Sequence, residues 1–532
     1  MSHPDTSPSR HPSRRRFLGG AAVGAGVLLG GGLLAACGGS DGGAAQPATG
    51  GGASGTPVRG GRIRLGVIDG NQSGDLDAHK PIGNGSIIRG FALYAKPWEW
   101  SAEMEPAFAL AESAEISPDA TTWTVRLKQG LEFHHGKTIT ADDFVFSARR
   151  LTDPQLASPY AGLLSYVDRE RIEKLDDRTV RFHFRDGMGF VPFPENFTNF
   201  GGIVPVDYDP RNPVGAGPYK LKEFAPGRRS LFTRFENYFK DGQPYADELE
   251  IIDFKDEQSR IAALQAGQID LANAIAADQL RLLRSDGRVR TVISQTNGWQ
   301  SFDLNLAKAP FTDERVRTAF RLLVDRQELV DRALSGQGRI GNDLYSPQDP
   351  TFNATLPQRT RDVERARQLL RDAGVSDLSL DLVTGPDPTG EAAALVFATQ
   401  AKQAGITINV KKVDSATFNG PQRTDWTIST NKLLTESFLV SGLHLDAPGS
   451  NNNKTHFSDP RFTELFSQAL SEPDTAKRAP LVAEMQRIQY DKGGLIIWGF
   501  VDNIDVAAKR VGGVAEEHTQ FSTWRFEKLW LS

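Results

Sequence analysis

The chain contains a single cysteine, Cys37, directly after Leu34-Ala35-Ala36. No intramolecular disulfide can form, so whatever folds here is held by packing and hydrogen bonds alone. The surrounding residues assign that cysteine a different task. Ser13-Arg14-Arg15-Arg16-Phe17-Leu18 resembles a twin-arginine export signal, with Arg14 and Arg15 as the arginine pair. An apolar run follows, Phe17 to Ala36, 20 residues long with seven glycines. A charged start, a short apolar stretch and small residues before a cut are the layout of a signal peptide. The run is long enough to span a bilayer, but its glycines lower both helix propensity and apolar drive, which argues against a retained helix. Residues 1–36 therefore read as a removable lipoprotein signal. Cys37 is the expected lipidation site, where two acyl chains would give stable attachment to the outer face of the cytoplasmic membrane. Residues 38–57 are mostly Gly, Ala, Ser, Thr and Pro, a flexible tether with a reach of about 25 Å.

The remaining chain is too long for one core, since single cores stop growing near 250–300 residues. Two lobes are the minimum. The first 36 residues hold four Arg and one acidic side chain, so the rest carries 57 basic against 65 acidic groups. That mild acidity argues against nucleic acid as a partner.

Alternating apolar residues predict strands at Val58–Val67, Trp123–Leu127, Val180–Phe184 and Tyr219–Phe224. Thr140-Ala141-Asp142-Asp143 opens a helix with capping-box character, and Asp256 caps another that Gly267 stops. The stripe Val316, Phe320, Leu323, Val324, Val330 and Leu334 predicts one long helix from Asp313 to Leu334. Further helices are expected at Glu364–Ala373, Phe462–Leu470 and Leu481–Tyr490. Strands at Asp377–Thr384 and Ile406–Val413 flank a helix at Glu391–Ala404, a βαβ unit. The fold class is α/β.

Motifs that would signal enzyme chemistry fail on context. Gly336-Gln337-Gly338-Arg339-Ile340-Gly341 fits a dinucleotide fingerprint but follows a helix instead of a strand, so it reads as a loop. Gly136-Lys137-Thr138 lacks the spacing of a phosphate loop. His134 and His135 would face opposite sides of a strand, and the other histidines are scattered, so neither a metal nor a cofactor is expected. No GxSxG or HExxH occurs. Among eight tryptophans, Trp299 and Trp498 stand beside small or amide residues, as Asn297-Gly298-Trp299-Gln300 and Ile497-Trp498-Gly499, and are candidates to grip a ligand.

Five segments, in order, resemble one family. Asp119-Ala120-Thr121-Thr122-Trp123-Thr124-Val125-Arg126-Leu127 is similar to a D-x-x-T-W-T-F-x-L-R strand. Phe133-His134-His135-Gly136-Lys137 with Thr140-Ala141-Asp142-Asp143-Phe144-Val145-Phe146-Ser147 resembles F-H-D-G … T-A-E-D-V-V-F-S, with His135 in place of Asp. Pro213 to Tyr219 resembles P-V-G-T-G-P-Y, Ala263 to Asp270 resembles A-L-x-A-G-E-I-D, and Asn305, Pro310-Phe311 and Arg315 to Phe320 complete the set. These resemble the family 5 extracellular solute-binding proteins of ATP-binding-cassette importers, the oligopeptide, dipeptide and nickel binders. The resemblance implies a two-lobed clamshell of the large periplasmic-binding-protein type. Lobe one would take residues 58–298 plus 500–532 and lobe two 299–499, with crossings near Trp299 and Trp498. A small solute or peptide would be enclosed between the lobes and handed to permease subunits by a monomer. An extracytoplasmic hydrolase, or a sensory receptor on the same scaffold, are the rival readings. Where peptide binders place an acid after a strand like Asp425-Trp426-Thr427-Ile428, this chain has Ser429-Thr430-Asn431-Lys432. Trp426, Asn431 and Lys432 are therefore expected to face the ligand with Trp299 and Trp498, and Lys432 would disfavour a cationic group there.

Overall fold

The computed structural model describes residues 55–68, 75–81, 83–158, 160–198, 201–450 and 452–532. Cys37, Arg14 and Arg15 lie outside the described residues.

Among these residues the backbone is organised by one large mixed sheet of eleven strands. Its middle is the antiparallel pair Val289–Leu304 and Leu495–Ala508, 16 and 14 residues long. On one side follow Ile428–Leu433, Ser379–Thr384 and Thr407–Lys412; on the other come Leu271–Ala272, Arg62–Ile68, Glu248–Phe254, Arg229–Arg234 and Tyr219–Ala225. The long pair does not run in simple register. Gln295 faces Asp502 and Trp299 faces Phe500, so Thr296-Asn297-Gly298 bulge from the first strand; Gln300 faces Gly499 and Ser301 faces Ile497, so Trp498 bulges from the second. Bulges bend a strand and raise its local twist. A separate four-stranded antiparallel sheet runs Ala111–Ile116, Thr122–Leu127, Thr179–Phe184, Val167–Asp176.

Apolar side chains collect where the sequence periodicity puts them. Ile63, Leu65, Val67, Leu249 and Ile251 form a core with Phe521, Trp524 and Phe526 from the C-terminal segment. Phe302, Val316, Phe320, Leu382, Phe397 and Trp498 form another. A third joins Phe144, Phe182 and Phe193, beside the small sheet, to Phe438, Phe462 and Met485 from the later helices. There Val191 N donates to Leu470 O at 2.9 Å, and a Cβ on Gly189 would stand 2.5 Å from Ser471 Cα. Burying each such Phe contributes roughly 1.5–3 kcal/mol.

The expected βαβ unit is present: Ser379–Thr384 and Thr407–Lys412 pair in parallel with helix Pro388–Lys402 between them. The long helix expected from Asp313 to Leu334 is instead two, Glu314–Leu323 and Arg326–Ala333. Val324 turns extended at ψ 115°. Asp325 then caps the second helix by accepting from Glu328 N at 3.0 Å. The glycine-rich loop at 336–341 contains a short strand, Gly338–Ile340, paired with the long strand Leu495–Ala508. Gly338 and Gly341 serve close backbone approach: a Cβ on them would lie 2.5 Å from Phe500 O and 2.2 Å from Ile497 O.

The motifs behind the resemblance also act on the fold. Asp143 closes the capping box with Thr140, and its carboxylate takes Lys137 Nζ at 2.8 Å and Val206 N at 3.1 Å. Gly215 and Gly217 let the chain lie against residues 92–94, where a Cβ would come within 2.0 Å and 2.4 Å of the carbonyls of Leu93 and Ala92. Asp270, fully buried, accepts from Arg64 N at 2.9 Å and pairs with Arg510.

Candidate functional site

A cavity of about 340 Å³ lies between two groups of residues distant in sequence. One wall comes from the early chain and the C-terminal segment: Asn84, Ile87 and Phe91 of helix Asn84–Leu93, then Trp100, Tyr160, Glu195 and Asn196, with Gln520, Phe521 and Trp524. The other comes from one stretch, Leu434, Thr435, Glu436, Val440 and His444, which leaves strand Ile428–Leu433 and enters helix Phe438–Leu445.

The aromatic wall is built as a cluster. Phe91, Phe521 and Trp524 stand with ring centroids 5.1–5.2 Å apart at tilted or edge-on angles, a favourable arrangement for quadrupolar rings. Two polar atoms on the walls have no hydrogen-bond partner among the described residues: the indole Nε1 of Trp524, a residue 6% exposed, and the hydroxyl Oγ1 of Thr435. Leaving such groups unsatisfied is costly.

The charged groups of the walls are Glu195, Glu436 and His444. Glu195 sits in the short turn Pro194–Phe197, and its Oε2 accepts the hydroxyl of Ser437 from the opposite wall. Burial pushes its carboxyl up to about 8; the Ser437 bond opposes this, Asp349 and Glu436 reinforce it, and Arg478 opposes it. His444 Nδ1 and Glu436 Oε2 are 2.9 Å apart. Burial works against the charged ring, but the bond and charge of Glu436 outweigh it and raise the His444 pKa. A neighbouring cavity of about 170 Å³ shares Glu195 and adds Asp349, Ser437 and Arg478. A smaller one of about 40 Å³ shares Phe91, Trp100, Phe521 and Trp524 and holds Lys96. Its ammonium lies 3.7 Å from the Phe91 ring centroid, and burial lowers it to about 7.

None of the five residues expected from the sequence to face the ligand lines the 340 Å³ cavity. Trp299 and Trp498 are each 1% exposed and packed inside apolar clusters, Trp498 beside Phe302. Trp426 is half-buried next to its strand. Asn431 is engaged inside the protein, donating to Asp303 Oδ2 at 2.7 Å and accepting from Lys454 Nζ at 3.2 Å. Lys432 points outward, its side chain 59% exposed and paired with Asp387 at 3.0 Å. Strand alternation explains the outcome: Ile428–Leu433 is hydrogen-bonded along Trp299–Leu304, and the chain opens to the cavity only past Leu433. The acid missing at Lys432 appears four residues later as Glu436. Lys432 thus stands outside the 340 Å³ cavity.

Solved structures of similar fold include binding proteins. The fold matches the substrate-binding protein CtaP of Listeria monocytogenes with a TM-score of 0.77 at 23% identity, covering 89% of this chain and 99% of that one. It matches AgaA of A. tumefaciens, solved with agropinic acid, at TM-score 0.74 and 22% identity, covering 89% and 99%. The chain is thus an α/β protein of the two-lobed periplasmic-binding-protein class. The family model for bacterial extracellular solute-binding proteins, family 5, matches residues 105–438, and the chain belongs to that family. Sequence relatives include the periplasmic oligopeptide-binding protein OppA of Haemophilus influenzae, 25% identical over 443 residues (74% of this chain, 80% of the relative). Heme-binding protein A of the same organism is 27% identical over 440 residues (74% and 78%). The chain is a solute-binding protein of the ABC-transporter type, and the hydrolase alternative has no support. Members of the family are binding proteins rather than enzymes and act outside the cytoplasm. No helix among the described residues is long and apolar enough to cross a membrane.

Proposed function

We propose that the 340 Å³ cavity is where this protein captures its solute, and that the two walls close over it before delivery to ABC permease subunits. The observation that carries this reading is the composition of the walls: Glu195 on one and Ser437 beside the other are hydrogen-bonded across the boundary between residues 58–298 and 299–499. In this reading 58–298 with 500–532 form lobe one, 299–499 form lobe two, and the bulges at 296–298 and Trp498 are the hinge. A ligand shifts a hinge only by binding the closed form better, and a cavity with material from both lobes supplies that difference. The protein works as a non-enzymatic monomer, exported through the Arg14-Arg15 signal and anchored by lipid on Cys37. The variety of solutes named for the relatives, peptides and heme among them, fits a shared frame whose cavity is rebuilt for each ligand.

The test is native mass spectrometry of full-length protein purified from its own host. A small molecule should co-purify with the wild type and be lost from Val440→Trp, which fills the cavity. Wild-type occupancy in that variant would place the capture site elsewhere.

A further inference from the structure

We propose that this cavity selects a compact organic cation: an ammonium or substituted ammonium on an apolar or aromatic body, with no carboxylate. The inference rests on the cavity being the capture site. It follows from the inventory of groups that a ligand would meet.

Among the described residues of the walls there is no Lys or Arg. The one basic group, His444, is engaged with Glu436. A ligand carboxylate would enter a site with two carboxyls and an occupied imidazole, and a buried charge without a counter-charge is strongly disfavoured. A cation meets the reverse situation. The structure records one hydrogen bond to the Glu195 carboxyl, from Ser437, and none to its other oxygen among the described residues. That carboxyl is the acceptor left for a positive group.

The aromatic wall adds to the same preference. Ring faces attract cations, most strongly when both are out of water; Lys96 already stands over Phe91, and Phe521 and Trp524 offer the remaining aromatic area for the ligand's body. At about 340 Å³ the space is near the lower end of ligand pockets and suits a single small molecule better than an extended chain.

A proton moves with the ligand. The groups facing Glu195 are Asp349, Glu436 and Arg478, with His444 beyond Glu436, and in the empty cavity the acids and burial keep the carboxyl protonated near neutrality. Arrival of an ammonium ionises it, and the proton leaves to solvent. Binding of a cation should therefore release about one proton and tighten as pH rises towards 8.

Four probes share one phenyl-ethyl body: phenethylamine (cation), N-acetylphenethylamine (neutral), phenylalanine (zwitterion) and 3-phenylpropionate (anion). Titrate each into the full chain carrying Cys37→Ser, read by tryptophan fluorescence and by calorimetry in two buffers of different ionisation heat. Phenethylamine should bind at least about tenfold more tightly than the other three and release a proton, with affinity rising up to about tenfold per pH unit below 8. Glu195→Gln, which keeps the shape and the Ser437 bond, should lose both the preference and the pH dependence while melting like the wild type. Failure of phenethylamine to bind, equal or tighter binding of phenylalanine or phenylpropionate, or an unchanged profile in Glu195→Gln overturns the proposal. Val440→Trp separates the two readings. If it abolishes binding of a preferred anion or zwitterion, the capture site stands and the cation inference falls; if it leaves all binding intact, the site itself is wrong.

Discussion

Asp343 is the centre of a buried charge cluster whose removal should unsettle one side of the molecule. Its carboxylate, fully enclosed, takes Arg326 Nη2 at 2.6 Å and Arg359 Nε at 3.0 Å, with Arg321 Nε at 3.8 Å. Arg321 and Arg359 also donate to main-chain carbonyls at the end of helix Thr475–Lys492, including Tyr490 O at 2.8 and 2.9 Å. The cluster thereby fixes the point where that helix passes into strand Leu495–Ala508. Even with Asp343 in place, burial lowers Arg321 to about 10, which corresponds to roughly 3 kcal/mol against its charged form. Asp343→Asn removes the only acid among the described residues that these three guanidiniums share. It keeps an acceptor oxygen and tolerates the positive φ of 64° at this residue, so backbone strain is not added. Losing one partner of a buried pair costs about 3–5 kcal/mol. Urea unfolding followed by tryptophan fluorescence and far-UV circular dichroism should show an early transition displaced by that amount. A variant within about 1 kcal/mol of the wild type, with unchanged denaturant slope, would refute the idea that this carboxylate neutralises the cluster.

Three further outcomes are expected. His79 is buried between Gly202 O at 2.8 Å and Arg150 at 3.1 Å, and burial lowers it to about 4. The unfolded chain takes up the proton first, so its stabilisation is lost as pH falls from about 6.5 to 4, by up to about 3 kcal/mol; the gap between wild type and His79→Gln in urea midpoints should shrink by that much between pH 7 and 4.5, and a constant gap would count against it. Trp498→Phe should lower stability through lost core packing and leave ligand affinity unchanged, as measured by calorimetry; weakened binding in a well-folded variant would return Trp498 to the site. Cys37→Ser should move the protein from the membrane to the soluble fraction of cells, and retention on membranes would point to another anchor.

The sequence exposed the fold far better than the site. Strands with period-two burial, helices with an Asp cap and the βαβ unit at 379–412 follow local rules, so they were readable within a few residues. Where one apolar stripe ran through two helices, periodicity hid the break at Val324, and the signal available was the capping pattern of Asp325. The motifs that carried the family resemblance serve the scaffold: Asp143, Gly215, Gly217 and Asp270 each satisfy backbone groups or permit close approach. Such motifs announce the frame and are silent on the ligand. The cavity draws on Phe91, Glu195, Glu436 and Trp524, which no spacing rule connects. Tryptophans beside small residues resemble ligand platforms, yet Trp299, just after the bulge at 296–298, and Trp498, itself the bulged residue of its strand, are packed in the core. The clue that remained was an acid slightly past the strand end, Glu436, followed by a histidine eight residues on.

The position of strand Leu495–Ala508 has a consequence for how the protein is made. It lies between Leu271–Ala272 and Val289–Leu304, at the centre of the large sheet, yet both of these neighbours come far earlier in the chain. On the ribosome both neighbours emerge long before their partner and must wait with open edges. The two halves of the sheet cannot be joined until this strand is made, and pairings this distant form slowly. Truncated chains would be left with unpaired central strands, a form prone to association through its exposed edges.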